Sequence, residues 1–134
     1  MGVKRVLELL SQRTWRGGSP PAPRYRPRNA HPVEVQIMGP HLLDVLKARD
    51  ISTTGIGVFV PHRFEGFNLD TQLELVITLP RQRPFLTLGR IRHATERGGE
   101  SPFFGVQLTQ LSRAQRDTLE TYLASGLAKP VTRG

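Results

Sequence analysis

From Val33 onward the apolar residues fall at every second position, in short runs cut off by glycine or proline, and that period suits strands buried on one face. Val33, Val35 and Ile37 alternate with Glu34, Gln36 and Met38 and are closed by Gly39 and Pro40. Leu43 to Ala48 and Gly57 to Val60 form two further runs around the polar turn RDISTTG. Leu73, Leu75, Ile77 and Leu79 share one face of a fourth, ended by Pro80; Phe85 to His93 is a fifth, and FFGVQL at 103 to 108 is the sixth. Ser112 and Gln115 have the spacing of a capping box, and Leu119, Tyr122 and Leu123 form the stripe of a last helix running to about Ala124, with Gly126 as its stop. The expected fold is mostly β: a six-stranded antiparallel barrel with a C-terminal α-helix that plugs or flanks it.

The 134 residues suffice for one domain, and the 13 glycines and 11 prolines disfavour a helical bundle. Ahead of the barrel, Val3, Val6, Leu7 and Leu10 recur at helical spacing over residues 3 to 12, a short amphipathic helix that needs the body or a partner chain for support. Trp15 suits an anchor for that helix, and RGGSPPAP at 16 to 23 reads as a linker. The expected organisation is an extension over 1–23, the barrel domain over 24–126 and a tail over 127–134. With no cysteine there is no disulfide framework, which suits a cytoplasmic setting. No run approaches the roughly 18 apolar residues of a bilayer span, so no membrane insertion is expected.

Charge is uneven. The chain carries 19 Lys and Arg against 11 Asp and Glu, formally +8, and residues 1 to 32 hold seven of the cations and one anion, Glu8. Such a balance favours polyanionic partners, and arginine, which dominates it, suits planar contact with phosphate or a guanine edge. Enzymatic templates fail: His31, His41, His62 and His93 lack metal-ligand spacing, and no nucleophile elbow or phosphate-binding glycine loop is present. No catalytic residue, metal or cofactor is expected.

Two strings stand out. Arg24 to Arg28 reads RxxxR, which composition alone would produce about twice. Asp50 to Gly55, DISTTG, reads [DN]xSxxG, for which roughly 0.03 chance occurrences are expected. Together with the strand PVEVQI, the following GIGVFV, a later LGRIRH and the ending FFGVQLTQLSRAQRDTLETYL, their order resembles the PilZ domain over residues 24 to 124. That resemblance implies a cytoplasmic bacterial receptor for cyclic di-GMP without enzyme activity, signalling through an unidentified protein partner. It implies ligand contacts from Arg24 and Arg28 to guanine edges and phosphates, with Arg26 a further candidate for a phosphate. A carboxylate at Asp50 suits guanine's N1 and N2 donors, the Ser52 hydroxyl can add a contact, and Gly55 permits a positive φ or close ligand approach. Pro23 stands where some relatives carry a cation that favours a stacked ligand dimer. Residues 16 to 31 have few apolar groups and crowded arginines, so the arm is expected to be mobile when free and to close on the barrel with ligand. The alternative is a small basic barrel that binds nucleic acid, although its strands offer few aromatic rings for stacking.

Overall fold

The computed structural model describes residues 22–39, 42–60, 69–95 and 102–131. The expected N-terminal helix, Trp15 and most of the Gly/Pro linker lie outside the described residues. The chain forms strands β1 (Tyr25–Pro27), β2 (Glu34–Gly39), β3 (Leu42–Ile51), β4 (Gly55–Phe59), β5 (Gln72–Thr78), β6 (Phe85–Thr95) and β7 (Phe103–Leu108), helix α1 (Arg113–Leu123) and strand β8 (Ala128–Pro130). Six of them pair in the order β2, β5, β6, β7, β4, β3, and an additional β2 to β3 pairing closes the barrel. All these pairings are antiparallel.

The expected period holds in the core. Val35 faces Leu46 across one ladder and Ile77 across the other, and Ile37 faces Leu75. All five side chains are buried. β4 and β7 add Ile56, Val58, Phe104 and Val106, and α1 sets Leu119 and Tyr122 into the same cluster. The capping box forms as its spacing requires: Ser112 accepts from the Gln115 N–H, and the Gln115 side chain accepts from the Ser112 N–H. Gly126 comes next at φ +86°, a left-handed position that glycine fills without strain.

Two strands carry no readable period because each has three residues. β1 pairs with β3 at Tyr25 and Ile51 and with β8 along its whole length. From Tyr25 onward the arm is paired on both sides through its backbone, and Tyr25 packs against the core, contacts that hydrophobic content alone does not predict. The chain after Gly126, expected as a tail, carries β8, and Leu127 and Ala128 are buried.

The Tyr122 hydroxyl is buried without a hydrogen-bond partner among the described residues. Burial pushes its pKa from 10.0 up to about 12. The protonated phenol is thus favoured by the fold, and the associated stability is present below pH 10 and lost as pH rises toward about 12. Replacing Tyr122 by Phe removes a desolvated hydroxyl and is expected to be neutral or stabilising by about 1 kcal/mol. Denaturation followed across alkaline pH checks both statements: the wild type loses stability above pH 10 and the variant loses less.

Candidate functional site

Strict alternation along β3 would put Leu46, Ala48 and Asp50 on one face, and the first two are core residues. A bulge intervenes between Ala48 and Asp50, so Ala48 pairs with Val58 while Asp50 pairs with Gly57. One extra residue reverses the facing of the strand beyond it. Ile51 takes the core position and Asp50 turns to the outer face beside Gly57. The same device recurs on β6: Ile91 pairs with Val106, a bulge comes next, and His93 pairs with Gly105. Gly57 and Gly105 are themselves paired. One outer row across four strands therefore runs Asp50, Gly57, Gly105, His93.

The two glycines are the floor of this row. A Cβ on Gly57 would meet the Asp50 carboxylate oxygens at 3.0 and 3.1 Å, and one on Gly105 would meet His93 Nε2 at 2.2 Å. The end residues thus lie down over the glycines, toward each other. Any side chain at position 105 would displace the imidazole.

Cations close over the acid. Arg24 Nε donates to Asp50 Oδ1 at 2.7 Å, with a second nitrogen of the same guanidinium on that oxygen. Arg49, the bulge residue, donates to Oδ2 at 2.7 Å and stacks its guanidinium 4.1 Å from the Phe103 ring centre. Phe103 meets His93 edge-on at 6.0 Å. Asp50 is left 5% exposed, a buried carboxylate satisfied by two charge-assisted partners. Loss of hydration on the covered side of the His93 ring, and next the charge of Arg24, hold its pKa below the ordinary 6.5; Asp50 opposes this and Arg49 adds to it.

The two sequence strings are shared between two recesses. Arg24 and Gly55 line a cavity of about 200 Å³ together with Thr54, Arg92 and His93. Arg26 and Arg28 line a separate groove of about 510 Å³ with Lys47, Arg49 and Phe59. Asp50 is held from both sides, by an arginine of the cavity and an arginine of the groove. Arg28 is further committed: its Nε donates to the Gly126 carbonyl at 2.8 Å and its backbone N–H to the Leu127 carbonyl. Ser52 is fully buried, and its hydroxyl accepts from the N–H groups of Thr54 and Gly55, both at 3.1 Å. Its part is to hold the turn. Gly55 is not in the left-handed region, which only Gly126 occupies among the described glycines. What position 55 requires is closeness, since a Cβ there would stand 3.0 Å from the Val106 carbonyl oxygen.

His93, Gly57, Gly105, Arg49 and Arg92 join the site although neither sequence string contains them. The signal in the sequence is a phase slip. Asp50 and His93 each stand where the period asks for a core residue, and each faces out because a bulge precedes it.

The arrangement is a small, cation-rich recess with one carboxylate beside a glycine floor that Asp50 and His93 cover, suited to a planar, anionic ligand. Known structures share this fold. Similarity of fold links the chain to the inhibitor of motility MotI/DgrA of Bacillus subtilis, with a TM-score of 0.63 and 19% identity over 77% of this chain and 50% of that one. A complex of MrkH with c-di-GMP from K. pneumonia gives a TM-score of 0.64 and 18% identity over 79% and 51%. The PilZ domain of YcgR from Escherichia coli, solved with c-di-GMP, gives 0.67 and 12% over 81% and 91%. The chain spans about half the length of the first two. No curated protein matches the sequence. The PilZ domain model matches residues 22–125, most of the chain. On that match, and with the barrel that carries it, the chain belongs to the PilZ domain family.

Proposed function

We propose that the chain is a receptor for cyclic di-GMP, acting without catalysis and passing ligand occupancy to a protein partner. The observation that carries this reading is the meeting of two strings far apart in sequence: the Arg24 guanidinium lies on the Asp50 carboxylate, and Arg24 lines a cavity together with Gly55. Guanine offers O6 and N7 as acceptors on one edge and N1 and N2 donors beside them, so it complements both an arginine fork and a carboxylate. Asp50 is covered while Arg24 sits on it. Ligand entry is therefore an exchange, in which Arg24 turns to the guanine acceptors and the carboxylate takes up the guanine donors. Only side chains move, because β1 already holds the arm. The larger groove, with Arg26 and Arg28, takes the other half of the ligand and a phosphate. Drawing Arg28 there releases the Gly126 carbonyl at the end of α1, which gives occupancy a route to the helix and β8.

Calorimetric titration tests the reading with cyclic di-GMP, GMP and a short DNA duplex in parallel. Selective binding of cyclic di-GMP is expected, with an affinity that depends weakly on salt. An arm neutralising six phosphates of duplex DNA would instead give a slope of roughly −5 in log affinity against log salt. No heat with cyclic di-GMP, or tighter duplex binding at physiological ionic strength, overturns the proposal.

A further inference from the structure

His93 is placed with more care than a solvated histidine needs. A bulge turns it outward, a glycine opposite leaves room for the ring, and Phe103 fixes the ring edge-on. It lines the same cavity as Arg24, Thr54 and Gly55. The charged and polar groups around it come from every neighbouring element. The arm contributes Arg24, β3 contributes Arg49 and Asp50, its own strand contributes Arg92, and β7 contributes the neutral Gln107. β4 presents only Gly57 to the row. The nearby carboxylate is occupied by two arginines, and Arg92 is tied to Gln107 and Asp70. In the free protein an extra positive charge at position 93 is therefore disfavoured, in keeping with the lowered pKa of the ring.

An anionic ligand reverses that balance. We propose that His93 is a proton-linked ligand contact: its imidazole takes up one proton from solvent as a phosphodiester enters the cavity, and the resulting imidazolium donates a hydrogen bond to the anion. The inference rests on the reading of this cavity as part of the cyclic di-GMP site. Its sign comes from linkage. Ligand charge raises the His93 pKa in the complex above its lowered value in the free protein, so affinity is flat at high pH, rises as pH falls through the pKa of the complex, and levels off below that of the free protein. The cyclic phosphodiesters stay ionised throughout, so the pH dependence belongs to the protein.

The test is calorimetry of the full chain with cyclic di-GMP in pairs of buffers that differ in ionisation heat, which counts protons directly. Uptake between zero and one proton is expected near about pH 6.5, with affinity rising severalfold from about pH 7.5 to about pH 5.5 and by less than about tenfold per unit. H93Q should show no uptake and a profile flat to within about twofold at whatever affinity remains. A histidine with only a packing role would change affinity without changing the proton count. Should H93Q fail to fold, the ring-proton resonances of the wild type give the same answer, since the His93 titration must move to higher pH with ligand. Binding without proton uptake, uptake that persists in H93Q, or an unmoved His93 titration overturns this inference and leaves the receptor reading intact. Absence of binding at every pH overturns the receptor reading itself.

Discussion

Asp50→Ala is expected to weaken cyclic di-GMP binding by at least about 100-fold, since it removes the proposed acceptor of the two guanine donors, with charge-assisted bonds worth about 1.5–3 kcal/mol each. In the proposed site the acid does more than contact ligand. With Arg24 on one oxygen and Arg49 on the other, it fixes where both guanidiniums sit before the ligand arrives. Because the bulge has moved it off the core face, its loss leaves no hole in the barrel. Asp50→Asn, which keeps one acceptor oxygen and the side-chain shape, should fall between wild type and alanine. Calorimetry beside a denaturation curve separates the effects: affinity collapses while the unfolding transition stays cooperative. Binding of the alanine variant within about threefold of wild type would remove Asp50 from the site.

Phe104→Ala is expected to lower stability by about 3–5 kcal/mol, a large part of what a domain of this size has. Phe104 is fully buried on β7, paired with Val58 of β4 and Ala94 of β6, so its ring joins two ladders of the closed barrel. Truncation leaves a cavity that the surrounding strands, fixed by hydrogen bonds on both edges, cannot close. The loss reaches the site indirectly. Phe103 and Gly105, on either side in sequence, carry the Arg49 stack and the His93 floor on the opposite face of the same strand. Urea denaturation measures the effect as a shift in midpoint at constant slope. A shift worth less than about 1 kcal/mol would mean that the core closes around the gap.

Much of this architecture is legible in the residues. The unbroken alternation of Val33, Val35 and Ile37 and of Leu73, Leu75 and Ile77 places β2 and β5 in register with the core, because a half-buried strand has no other way to sort its side chains. The capping box and Gly126 mark the two ends of α1 through backbone groups that need partners. β1 and β8 are illegible, since three residues make no period and their stability comes from pairing with each other across the chain. The site divides along similar lines. DISTTG is local chemistry and its turn forms within the string, with Ser52 bonded to Thr54 and Gly55. The Arg24 to Asp50 pair depends on β1 docking beside β3, and the two motif arginines prove to line different recesses. His93 reads as an isolated histidine in the sequence because its partners, Gly105 and Phe103, are distant along the chain and neighbours only across a ladder. The phase slips at Asp50 and His93 are the trace the bulges leave, two polar residues on the beat reserved for the core.

On the receptor reading, cyclic di-GMP binds at the outer row of Asp50, Gly57, Gly105 and His93, closed by Arg24. Titrating the ligand into isotopically labelled protein and following each backbone amide by NMR tests it most directly. The largest shifts are expected at Arg24, Asp50, Gly55, Gly57, Gly105 and His93, with a smaller set at Arg28 and Gly126 as their hydrogen bond is released. Shifts confined to the outer face of β2 and β5, or a spectrum unchanged at saturating ligand, would contradict it.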